Sequence, residues 1–238
     1  MHPWNLDVTK SHVVTKFGEG QAERLWNSLQ SIHRRQNIAG YHFYEYKRLL
    51  SEKLDPVLAV KHPLELILTS NDYERNSYYT LHLQVLAHVL ACMQSMHALG
   101  DTLAYTVAYS LGLNRGDRGL KDSEISIASV VEHLECNKEW SSVHKVLNSI
   151  HSDNDFKYLS DVVNHSKHRS IIPIDLHFDA TGESGSLYEL KVPAFQFRSR
   201  NYQQCNVDTF LADLYAWLLP QIIECGHALN ITLSNSQA

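Results

Sequence analysis

Missing from this chain is any run of apolar residues long enough to cross a bilayer. A spanning helix needs about 20 predominantly apolar residues, and the longest apolar pattern here is interrupted by His82, Gln84, His88, Gln94 and His97. A soluble protein with no membrane partner is expected. Cysteine is sparse: Cys92, Cys136, Cys205 and Cys225 lie far apart, none forms a C-x-x-C pair, and no secretory signal precedes them. That usage predicts free thiols in a reducing, cytoplasmic setting. An excess of basic residues is absent too. With 21 Lys and Arg against 26 Asp and Glu, the formal net charge is -5, which excludes a general nucleic-acid coat and confines any RNA contact to a local patch.

Signatures of common chemistries are scarce as well. The stretch Gly112 to Gly119 is rich in glycine, but no strand precedes it and no P-loop Lys-Ser/Thr follows. There is no G-x-S-x-G and no Cys-His pattern for acyl transfer. A di-iron bundle needs two Glu-x-x-His pairs, and Glu224-x-x-His227 is the one clear instance. The cysteines and histidines lack zinc-ligand spacing, so neither metal nor cofactor is expected. With 15 histidines in the chain, a single His beside a carboxylate carries little weight.

What is present is helical periodicity. A content of 44% hydrophobic residues supports a globular class. Residues 1 to 18 show no sustained period and read as a loosely docked arm. Ala22, Leu25, Trp26, Leu29 and Ile32 predict a helix from Glu19 to about Arg35, and Gly40 marks a break before a second helical piece, Tyr41 to Leu54, ended by Asp55-Pro56. Pro63 marks a further loop. From Asn71 to Leu111, apolar residues recur every three or four positions in the strongest helix of the sequence. Asp122 or Ser123 is placed to cap a helix carrying Ile125 to Leu134, another piece runs from Trp140 to Ile150, and Ser152-Asp153-Asn154-Asp155 starts a helix reaching Arg169. The Met and aromatic residues of the long helix read as core.

After Pro173 the period changes to two. Ile172, Ile174, Leu176 and Phe178, then Tyr188, Leu190 and Val192, predict a β-hairpin turned by Ala180 to Ser186, with Pro193 marking the second strand as an edge or bulged one. A closing helix runs from Val207 to about Leu229. The expected fold is mainly α: a helical bundle over residues 1–170, with a small C-terminal β-hairpin and closing helix over 171–238 packed on it as one domain overall. No internal repeat argues otherwise.

Chemistry is expected where the period changes, at Asn164-His165-Ser166-Lys167-His168-Arg169. At 100° per residue, Phe156, Leu159 and Val163 form an apolar stripe, and Lys167 falls on its line one turn later, flanked by Asn164 and His168. A polar cluster replacing a core residue means either a helix running out into water or groups kept for a task. His165 has Asp161 one turn before it, which orients an imidazole or forms an ordinary solvated i,i+4 pair. Arg35-x6-His42 repeats an Arg-to-His spacing, interrupted by Gly40. Phe195, Phe197, Arg198, Arg200 and Tyr202 interleave rings with guanidiniums, as a stacking surface for single-stranded nucleic acid does; the same alternation also describes a strand face with an exposed rim.

A bundle whose late helix ends in Asn164-x-x-x-His168, with Leu99-Gly100-Asp101-Thr102-Leu103 on its central helix, resembles the HEPN superfamily of prokaryotic helical domains over roughly Glu19 to Arg169. HEPN ribonucleases carry an arginine, a polar residue and, a few residues on, a histidine. Asn164 and His168 match the last two, and Val163 stands where the arginine is expected. The resemblance implies metal-independent RNA cleavage, in which the 2′-hydroxyl attacks the neighbouring phosphate. His168 would take the proton, Lys167 would stabilise the phosphorane charge, and Asn164 would hold the phosphate or the imidazole. Arg169, His165 and Asp161 beside this motif, and Arg198 and Arg200 from the ring-guanidinium alternation outside it, are the candidate binding residues. Also implied are a homodimer whose two motifs face one groove, an RNA partner, a defence or toxin-antitoxin role and an antitoxin protein. The alternative is a non-catalytic helical interaction protein of the same fold.

Overall fold

The computed structural model describes residues 2–116, 119–179 and 187–235. The chain is mainly α-helical. The order is α1 (Leu6–Phe17), α2 (Glu19–Leu49), a π-helical turn (Leu50–Leu54), α3 (Asp55–Leu58), α4 (Pro63–Leu68), α5 (Asp72–Leu111), α6 (Ile127–Glu135), α7 (Ser141–Ser152) and α8 (Asn154–His168). Then come β1 (Asp175–Phe178), β2 (Tyr188–Val192), β3 (Phe195–Phe197), β4 (Arg200–Tyr202) and β5 (Cys205–Asn206), closed by α9 (Val207–Asn235). No helix among the described residues is long and apolar enough to cross a membrane.

These elements form two compact units, Met1–Gln36 with Met96–Lys157 and Asp213–Ala238, and Asn37–Ser95 with Tyr158–Ala212. In the first, Leu25, Leu29, Leu99, Leu103, Leu134 and Leu147 are fully buried. Residues 1 to 18 are not a loose arm there. Asn5 caps α1 by accepting from the Val8 amide, Thr9 and Val13 are buried, and the Trp4 indole donates to Thr9 Oγ1 at 2.8 Å. The Trp4 ring packs where a side chain on Gly226 would be, so this glycine permits the docking. Gly100 does the same for Phe156. With only two buried positions in α1, the segment has little amphipathic signal to read.

In the second unit the fully buried groups include Tyr46, Val85, Val89, Leu159, Val162 and Val192. Gly40 does not break α2, which runs unbroken to Leu49. A mid-helix glycine costs only about 1 kcal/mol relative to alanine, and neighbouring Ala39 and Tyr46 are buried. Asp55-Pro56 does not end the helical path either. Proline is tolerated in a first turn, where its missing N–H is not needed, and Pro56 and Pro63 occupy that place in α3 and α4. The cap expected at Asp122 or Ser123 lies in a 3-10 turn instead, and Ser126 caps α6 through the Ser129 amide. Asp153 accepts from the Phe156 amide at the start of α8.

β1 and β2 pair antiparallel, Asp175 opposite Lys191 through Phe178 opposite Tyr188, as the alternation predicts. The expected turn, Ala180 to Ser186, lies outside the described residues. β2 is no edge: it also pairs with β5, giving the order β1-β2-β5, and Pro193 sits just past its last residue, where no ladder donor is required. β3 and β4 form a second antiparallel hairpin.

Candidate functional site

The middle of α8 carries the inward stripe of Leu159, Val162 and Val163, all buried. The stripe continues into Ser166, whose Oγ is buried without a hydrogen-bond partner among the described residues. Lys167 and His168 are exposed on the last turn, and Asn164 is half-buried. No hydrogen bond among the described residues joins these three. The expectation of an inward Lys167 is therefore corrected.

A different set converges. Asp161 is buried, at 4% exposure. Its Oδ2 accepts from the Tyr202 hydroxyl at 2.7 Å and faces Arg200 Nε at 3.4 Å. Both partners come from β4, so the carboxylate fastens the second hairpin to α8. Burial, then the hydrogen bond to Asp161, pushes the Tyr202 hydroxyl pKa above its ordinary value. Asp161 does not orient His165. The His165 ring instead places Nδ1 2.8 Å from the Ser170 carbonyl, just past the helix end. A carbonyl only accepts, so Nδ1 carries the proton of the neutral ring and Nε2 is left as the basic nitrogen. The ring meets Phe195 and Phe197 edge-on, with centroids 6.2 and 6.0 Å away.

Phe197 is the platform. It is buried at 5% exposure, and two guanidiniums lie over its ring, Arg169 at 4.8 Å and Arg198 at 5.3 Å from the centroid. Cation–π attraction holds such groups by about 0.5 to 1 kcal/mol at exposed sites while their N–H donors stay open to solvent. Neither arginine has a carboxylate partner among the described residues. Arg198 adopts φ of 55°, in the turn between Phe197 and Arg200, a conformation non-glycine residues seldom take. Behind the hairpin, Tyr158 packs against Phe195, Tyr202 and Phe210, centroids 4.9 to 5.5 Å apart.

No family model matches this sequence, and no curated protein and no solved structure is detectably similar to it. The site thus stands on its own geometry. That geometry gathers Asp161, His165, Arg169, Arg198 and Arg200 on one surface, and leaves Lys167 and His168 beside it in solvent. The sequence places Tyr158 in the stretch Tyr158-Leu159 to His168-Arg169 that carries the family resemblance, but not its packing behind the hairpin, and it does not point to the Ser170 carbonyl. Tyr158 lies two turns before His165, which also meets Phe195; a backbone carbonyl carries no sequence signal at all. Of the other spaced pair, Arg35 and His42, His42 places Nδ1 2.8 Å from His88 Nδ1. His227 of the Glu224-x-x-His227 pair contacts the His2 carbonyl at 3.0 Å.

Proposed function

We propose that the surface formed by the C-terminal turn of α8 and the β3–β4 hairpin binds single-stranded RNA, as part of a HEPN-like protein. The observation that carries this reading is the pair of guanidiniums, Arg169 and Arg198, stacked on one buried ring with no carboxylate partner among the described residues. Guanidinium forks match phosphate oxygens bidentately. Arg200, tied to Asp161, fixes the hairpin, and exposed Lys167 extends the positive edge, with exposed His168 beside it. Fluorescence anisotropy with a labelled 20-nucleotide RNA tests it. Arg198→Ala should weaken binding about 5- to 30-fold, as loss of about 1 to 2 kcal/mol requires; equal affinity for variant and wild type refutes the assignment.

A second reading, metal-independent RNA cleavage, is favoured by the fixed tautomer of His165, whose Nε2 is free to take a 2′-hydroxyl proton. In the resemblance to HEPN ribonucleases that role belongs to His168, with Lys167 and Asn164. Incubating RNA in EDTA with wild type, His165→Ala and His168→Ala separates the two histidines. Binding without cleavage leaves the non-catalytic interaction module. The same resemblance supplies the proposals of a homodimer and, in a defence setting, an antitoxin protein covering this face; sedimentation equilibrium tests the first.

A further inference from the structure

Between the π-helical turn, α3, α4 and the first turns of α5 lies a cavity of about 660 Å³. Its size falls within the range of small-molecule sites, roughly 300 to 1,000 Å³. Leu54, Leu66 and Leu81, all buried, line it. Val57, Val60 and Tyr73 add further apolar surface, yet Val60 is 80% and Tyr73 82% exposed, so apolar groups stand in water at the mouth. The π-helical turn at Leu50–Leu54 is itself an uncommon feature, and π turns recur at functional sites.

The polar groups lining the cavity are few and unequal. Glu74 is the one acid among the lining residues, and Lys61 takes it at 2.7 Å, while Thr69 Oγ1 also donates to it. That pair ties the loop after α3 to α5 and cancels its own charge. Lys53 is different: among the described residues it reaches only the neutral Gln84 Oε1, at 3.4 Å, and it lies exposed beside the cavity. Among the described residues, one cation is thus left uncompensated beside an apolar hollow. We propose that this cavity binds a small amphipathic anion, an acyl chain or similar apolar body ending in a carboxylate, with the apolar part on Leu54, Leu66 and Leu81 and the carboxylate at Lys53.

This site shares no residue with the RNA-binding face and stands or falls independently of it. Isothermal titration with dodecanoate, below its micellar concentration, and with acetate as the head group alone, reads it directly. Wild type should take up about one dodecanoate per chain and no acetate. Lys53→Glu and Val60→Glu alter exposed side chains and should leave circular dichroism and melting unchanged, while each weakens dodecanoate binding tenfold or more. A wild type that takes up no dodecanoate overturns the proposal. So does either variant keeping an affinity within threefold of wild type, or self-association of the wild type that Val60→Glu abolishes while no dodecanoate is taken up.

Discussion

At Arg198 local strain and charge meet in one residue. A non-glycine residue at φ 55° costs about 1 kcal/mol relative to glycine, and such cost persists at sites where the side chain is needed. Arg198→Gly should therefore leave stability unchanged or raise it by up to about 1 kcal/mol in urea unfolding, while RNA affinity falls. Falling stability with intact affinity would assign the residue to the fold instead. Asp161 makes the opposite prediction. Asp161→Ala orphans the Tyr202 hydroxyl, so unfolding should show a loss of about 1 to 3 kcal/mol, and Asp161→Asn, which keeps an acceptor, should lose less. Equal losses would mean that the hydrogen bond does not fasten the hairpin. The sequence showed that a polar group replaces the core at the end of α8, but chose Lys167. Including Val162 in the stripe centres it between Val162 and Val163, so the next turn inward is Ser166, and Lys167 falls to the edge.

Among the elements, the long ones were legible and the joints were not. α5 and α8 follow their apolar period because buried residues recur along it, Val85, Val89, Met96, Leu99 and Leu103 in α5 and Leu159, Val162 and Val163 in α8. Gly40 and Pro56 read as breaks because local propensity opposes helix there, yet burial around Gly40 overrides a cost of about 1 kcal/mol, and Pro56 sits in the first turn of α3, where its missing N–H is not needed. The β2–β5 pairing rests on a two-residue strand, too short for any alternation to be seen. One unlooked-for link joins α2 to α5, the contact of His42 Nδ1 with His88 Nδ1 at 2.8 Å. Only one proton fits between two facing nitrogens. Burial, then the neighbouring His88, lowers the His42 pKa from the ordinary 6.5, against a smaller raising effect of Glu45. The unfolded chain then binds this proton more readily than the folded one, so the stability it confers is present above about pH 6.5 and is lost as pH falls toward the folded value. His42→Asn should flatten the stability profile between about pH 7 and pH 5, as thermal melts across that range would show; an unchanged slope would remove the pair from the account.

The whole molecule is acidic, with a net charge of -5, so the RNA binding proposed above has to come from a few placed cations and not from a general field. This makes the salt dependence of binding the most direct count of them. For single strands, log K falls with log salt by about 0.7 for each phosphate neutralised. Measured by anisotropy from 50 to 300 mM salt, the double variant Arg169→Ala/Arg198→Ala should bind more weakly than wild type, with a slope shallower by about 1.4. An unchanged slope and affinity would contradict the account, because the stacked arginines over Phe197 would then contact no phosphate.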